Sequence, residues 1–377
     1  MDEINGSRDE GFQPIIIFGG ITMKSMKLLL TLLFSLMLLA ACNGKEEATA
    51  PEDNTKEEPA TTETEVDEEL EAAKAKFEPL GEIPVPEDNE MTDEKIALGQ
   101  MLYYDERLSG DNSLSCASCH APAQGYGDGL AKFIGFQGFQ GQMNSPTVIN
   151  SGYYEENFWN GRADSLEAQA VGPIQAEGEM NQNMDELLTE LSAIPGYVDE
   201  FNKVFNDKVT ADNIAKAIAA FERTIVVQDT AFDKYLAGQE DAISAEAKEG
   251  MKLFAGKASC ITCHAGPLMS DHNYYNLGME GNDGRFEVTK NEADKGSFRT
   301  AQLRGITHTA PYMHDGSLAS LEDVVNYYNQ GGGTHANKSA LIQPLNLTEE
   351  EVSNLVAFLE TLGGEIPMTE KPELPKQ

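Results

Sequence analysis

The stretch "SCASCHAPAQGYGDGL" (residues 115–130) decides how the rest of the chain is read. Cys116, Cys119 and His120 stand in the order C-x-x-C-H, the attachment signal of a c-type haem. In such a signal two thiols bond the haem vinyl groups and the histidine takes one axial position on the iron. A second copy, "SCITCH" (259–264), supplies Cys260, Cys263 and His264. A lone C-x-x-C also suits a redox dithiol or half of a zinc site. Two copies, each followed at once by histidine, point to two covalent haems.

The fifth cysteine has a different setting. Lys24 and Lys27 precede an apolar run over 28–41, and Cys42 follows directly. That run is short for a permanent membrane span and fits a secretory signal, with the true start at Met23 or Met26. Small residues before Cys42 and a polar stretch after it resemble a bacterial lipoprotein signal. Cys42 is then lipidated and anchors an exported protein to the membrane, facing the periplasm or cell exterior. An ordinary signal peptide with Cys42 discarded is the alternative. On the lipoprotein reading every cysteine is used, and none remains for a disulfide.

Residues 42–81 read as this lipidated cysteine and an acidic, disordered tether. Residues 45–78 are rich in Glu, Thr, Ala and Pro and offer little apolar surface to offset the entropy of ordering. The tether concentrates part of a net charge of -36, which argues against nucleic acid as a partner. The chain of 377 residues, 40% of them hydrophobic, has room for two ordinary domains plus tails. These are expected over 82–235 and 236–377.

Helical patterns precede both haem signals. Thr92 caps a helix that leads toward Cys116, and Ser244 caps one in which Ala247, Gly250, Met251 and Phe254 share a face. A third helix runs from Thr348 to a stop at Gly363, with Val352, Leu355, Val356 and Leu359 on one side. The segment 211–228 reads as a further helix. Strand signals are sparse, so the fold class is all-α: two cytochrome c-like domains, each wrapping one haem with long loops.

The residues "CASCH", "NSPTVIN", "FWNGRADSLEAQAVGPIQAEGEM", "CITCH" and "TAPYMHDGSLASLEDVVNYYNQGG" carry a wider likeness. Over about 82–365 the chain resembles the bacterial di-haem cytochrome c peroxidases, a family that includes the MauG enzymes. The resemblance implies reduction of hydrogen peroxide to water at the first haem, with electrons from a small cytochrome c or similar donor entering at the second. Glu179 matches the carboxylate that moves the peroxide proton, and Gln169 and Pro173 match other members of that pocket. Trp159, the chain's only tryptophan, matches an aromatic between the haems. Asn144, Thr309 and Pro311 match a calcium site.

The chain also departs from the typical pattern. Where most members place a histidine sixteen residues after the first haem histidine, this sequence has Phe136, which cannot ligate iron. The first haem is then expected to be open, with Met143 or Gln137 as substitute ligands if it is not. Where typical peroxidases place a methionine ligand for the second haem, the sequence has Tyr328, as MauG-type members do. Met313, Met279, His308 and Tyr327 are rival ligands, and His314 is read as a supporting residue. The alternatives are a MauG-like oxidase acting on a protein or other substrate, and an electron carrier without chemistry of its own. A homodimer is left open.

Overall fold

A computed structural model describes residues 67–376. Cys42 and its preceding apolar run lie outside these residues. No helix among the described residues is long and apolar enough to cross a membrane. The architecture is mostly helical, as expected, with one two-residue antiparallel strand pair, β1 (Tyr274–Tyr275) and β2 (Phe298–Arg299).

The chain opens with α1 (Glu68–Lys74), capped by the Asp67 carboxylate. This corrects the reading of 45–78 as tether throughout. Residues 67–77 are packed, because "LEAAKAKF" presents Leu70, Ala73 and Phe77 to an apolar surface. That surface belongs to the second haem domain. Phe77 packs edge-on against Phe232 with ring centroids 5.0 Å apart, and Lys76 Nζ donates to Ala255 O.

The first haem domain is built on a crossing of α2 (Asp93–Tyr103) with a helix 108 residues further on. Thr92 caps α2, its side chain accepting from Lys95 N. After α3 (Cys116–Cys119), α4 (Leu166–Gln175), α5 (Met184–Ser192) and α6 (Pro195–Phe205), the chain enters α7 (Ala211–Glu222). Gly99 lets α2 approach α7 so closely that a Cβ there would overlap the Ala217 carbonyl. Leu98, Leu102, Ile174, Leu187, Phe201, Ile214 and Ile218 are buried around the crossing. The expected helix over 211–228 stops at Glu222. The β-branched run Thr224–Val227 favours extended chain, and Ile225 and Val227 instead bury in a cluster with Tyr103, Tyr126 and Ile149.

The second domain repeats the device. After α8 (Ala231–Leu236), α9 (Ala245–Ala255) crosses α12 (Glu349–Glu360), with α10 (Phe286–Thr289) and α11 (Leu321–Asn329) between them. Gly250 lies against the Asn354 carbonyl as Gly99 lies against Ala217, and Phe358 occupies the place that Phe221 fills in the first crossing. Ser244 and Thr348 cap α9 and α12 as read from the sequence, although α12 ends at Glu360, three residues before Gly363.

Beyond α12 the chain returns to the first domain. Tyr126 Oη donates to Pro367 O at 2.6 Å, Tyr104 Oη to Thr369 O at 2.8 Å and Arg107 Nη1 to Pro375 O at 3.0 Å. The two ends of the described residues are therefore crossed: residues 67–77 pack on the second domain and 367–375 on the first.

Candidate active site

Each haem signal ends in a histidine held in the same way. His120 Nδ1 lies 3.1 Å from Tyr126 O, and His264 Nδ1 lies 2.9 Å from Met269 O. A carbonyl on Nδ1 fixes the proton there and leaves Nε2 as the lone-pair nitrogen, the form that ligates iron. Burial pushes the pKa of both rings down, which keeps them neutral. None of the four cysteines is paired in a disulfide, and burial raises the pKa of their thiols.

Two cavities open at these signals. The first is lined by Cys116, Cys119 and His120 together with Phe133, Met143, Arg162, Gln169, Pro173 and Glu179. The second is lined by Cys260, Cys263 and His264 together with Met279, Met313, His314 and Tyr328. Their volumes are about 150 and 670 Å³, or about 1190 and 2380 Å³ with the space open to solvent included. Asn144, Tyr154, Trp159 and Arg299 line both, so they form the wall between them.

The first cavity carries unpaired polar atoms. Ser151 Oγ, Asn157 Nδ2, Glu222 Oε2 and the Nε and Nη1 of Arg299 are buried without a hydrogen-bond partner in the protein, and all five belong to lining residues. Such atoms rarely stay unpaired. Paired thiols, a neutral histidine with Nε2 free and unpaired polar groups in one cavity fit a covalent porphyrin carrying carboxylates.

Glu179 reaches the first cavity through a turn after α4. Ser165 caps α4, Glu179 N donates to Ala176 O, and Glu179 O accepts from Phe136 N at 2.8 Å. Its half-buried carboxyl lies 3.7 Å from Arg162 Nη2. Burial raises its pKa and the Arg162 charge opposes the rise. Arg162 was not singled out in the sequence, although it sits inside the quoted "FWNGRADS"; its guanidinium lies 3.4 Å above the Phe158 ring. Phe136 is absent from the cavity lining, held by its backbone to Glu179, whereas Met143 lines it and Gln137 does not.

At the dividing wall, Trp159 Nε1 donates to Asn144 O at 2.9 Å, and Trp159 O accepts from Arg299 N at 2.9 Å. Asn144, Thr309 and Pro311 all line the second cavity. Asn144 Nδ2 donates to Leu130 O, which leaves its amide oxygen as the side chain's acceptor. In the second cavity, burial pushes the Tyr328 phenol pKa up. Tyr327 turns away to donate to Leu277 O, and His308 Nε2 meets Gly364 O outside the lining. His314 stacks on Phe298 with centroids 3.6 Å apart, and burial lowers its pKa to about 4.

Residues 93–241 match the family model described as di-haem cytochrome c peroxidase, and 247–363 match that of cytochrome c. The chain is 44% identical over 346 residues to a cytochrome-c peroxidase, IdrP1, of Denitromonas iodatirespirans, covering 81% of this chain and 92% of that protein. The chain belongs to the di-haem cytochrome c peroxidase and MauG family. It is 41% identical over 314 residues to the methylamine utilization protein MauG of Methylorubrum extorquens, covering 82% of this chain and 89% of the relative. A crystal structure of a MauG-like protein associated with microbial copper homeostasis superposes with a TM-score of 0.70 at 33% identity, covering 76% of this chain and 93% of that one. This di-haem family member is thus an oxidoreductase with two cytochrome c-like domains, and such domains carry haem c bound through their paired cysteines.

Proposed function

We propose that the protein reduces hydrogen peroxide to water with two electrons from a small redox donor such as a cytochrome c. The observation that carries this reading is the Glu179–Arg162 pair, which lines the cavity of His120. A pure electron carrier has no use for a half-buried acid beside its iron. Bound haem supplies a Lewis-acidic, redox-active iron in each domain. His120 and His264 hold the two irons through Nε2, and Glu179 handles the proton. Its carboxylate accepts a proton from one peroxide oxygen and returns it to the other, which leaves as water. Two electrons and two further protons complete the conversion of one peroxide to two waters. Burial raises the Glu179 pKa and the Arg162 charge opposes that rise, which favours the base form. Gln169 orients peroxide from α4, and Trp159 provides an aromatic path across the wall that both cavities share. Asn144, Thr309 and Pro311 hold a calcium ion beside that wall, and the Cys42 lipid anchors the enzyme outside the cytoplasm.

Steady-state peroxide reduction with a panel of reduced cytochromes tests the proposal. Turnover well above the protein-free rate is expected, together with a prompt spectral change when the oxidised protein meets peroxide in rapid mixing. A resting first haem that is wholly low-spin, with no turnover from any donor, would instead mark a carrier and point to a ligand such as Met143.

Tyr328 favours a second reading in which the protein oxidises another substrate, as a MauG-like enzyme. A phenolate is a hard anionic ligand that stabilises ferric and higher iron, whereas a thioether raises the potential. Tyr328→Met is expected to raise the potential of the second haem, within the ~0.8 V that axial ligands span. An unchanged potential in spectroelectrochemistry would assign the ligand to Met279 or Met313.

A further inference from the structure

Arg299 is a buried charge in the wall that makes no ion pair among the described residues; Glu156, near enough to feel it, is paired with Arg285. It is 7% exposed, sits on β2 opposite Tyr274, and has its backbone fixed by Trp159 O. Its guanidinium lies 3.7 Å above the Tyr154 ring, yet Nε and Nη1 are buried without a partner. Nearby carboxylates are engaged elsewhere. Glu156 takes Arg285 at 3.0 Å and the Tyr274 hydroxyl, and Asp271 takes the Tyr275 hydroxyl and Asn273. A cation–π contact alone is a weak substitute for an anion at a buried guanidinium.

A second unpaired donor lies on the same side. Asn157 is 4% exposed, and its Nδ2 has no partner. It lines the first cavity and not the second, and among the described residues no unpaired buried polar atom lines the second cavity alone. An anion with planar, carboxylate-like acceptors would complete both groups from the first cavity, which both residues line. The guanidinium fork matches a carboxylate in two parallel hydrogen bonds.

We propose that Arg299, with Asn157 lining the same cavity, binds a propionate carboxylate of the first haem and neutralises its charge. This rests on haem occupying the first cavity. An unneutralised carboxylate close to iron stabilises the ferric state, so the pairing raises the first haem's potential and Arg299 acts as a positioning and tuning residue.

The test uses the mature di-haem protein as wild type, Arg299→Gln and Arg299→Lys. Mass and pyridine haemochrome spectra first establish two attached haems. A wild-type chain without haem in the first domain would overturn the haem reading itself, separately from the role of Arg299. Resonance Raman spectra of the half-reduced protein then report the propionate bending band of each haem, and spectroelectrochemistry reports each midpoint potential. Arg299→Gln is expected to move the first haem's propionate band to lower wavenumber and lower that haem's potential, and Arg299→Lys to do the same to a smaller extent. Should the Gln variant fail to mature, the Lys variant carries the test. A band at the wild-type position in a variant holding both haems overturns the proposal, whether or not the potential moves. So does a shift confined to the second haem.

Discussion

Glu179 and Glu222 are two acids of the first cavity that differ in burial, the first half-buried and the second almost fully. Glu179 faces Arg162, and the proposed mechanism gives it the proton transfer. Replacing it with Gln keeps the shape and removes the base, so peroxide turnover should fall ~10²–10⁴-fold, about 3–5 kcal/mol of barrier, with haem content unchanged. A loss below about fivefold would return Glu179 to a structural role. Glu222 is 5% exposed, and burial raises its pKa from 4.5 to about 8 against the pull of Arg223. Between those values the folded protein binds a proton that the unfolded chain has released, so stability falls as pH rises through this window. The effect is on the order of 3–5 kcal/mol by pH 8 and absent below about pH 4. Thermal melts from pH 4.5 to 8 should show this decline in the wild type, and a shallower one in Glu222→Gln. Parallel slopes would mean that Glu222 does not carry the dependence.

Between the helices, each haem domain depends on one glycine at its crossing. Alanine at Gly99 or Gly250 gains ~1 kcal/mol of helix propensity but drives a methyl into a backbone carbonyl that cannot move aside. Overpacking of this kind costs roughly 1–3 kcal/mol, so both variants should unfold at lower denaturant than the wild type. Gly81→Ala, with nothing near its Cβ position, should not. Much at this scale was legible beforehand. The haem signals are local and chemically exclusive, and the caps Thr92, Ser244 and Thr348 announce themselves by residue type. What stayed hidden depends on tertiary contact. The helix at 211 ends early because Ile225 and Val227 have a cluster to fill, and α1 forms because Phe77 has an aromatic nest waiting in another domain. Arg162 and Arg299 were silent for the same reason. Nothing in the neighbouring sequence says that an arginine will end up against a buried carboxyl or without one.

Across the molecule, the C-terminal segment is tied to His120 of the first haem signal. Pro367 O holds the Tyr126 hydroxyl, and Tyr126 O holds His120 Nδ1. Deleting 366–377 strips acceptors from Tyr126, Tyr104 and Arg107, and an unmet buried donor costs ~1–3 kcal/mol. Limited proteolysis should therefore cut the first domain faster in the truncated protein and leave the second at its wild-type rate. The spectrum of the first haem should shift as its histidine loosens. Equal protection of the first domain in both proteins would show that the segment is dispensable.

The crossed ends also bear on how such a chain is made. A ribosome delivers the α1 segment first, but the surface that receives it includes Phe358, nearly three hundred residues later. The surface that receives Pro367 and Pro375 emerges early and stays uncovered until those residues have been made. Contacts between distant parts of a chain form slowly, because a long loop must close before they give anything back. Each half therefore waits for chain made far from it in the sequence, and the two domains become complete at nearly the same stage.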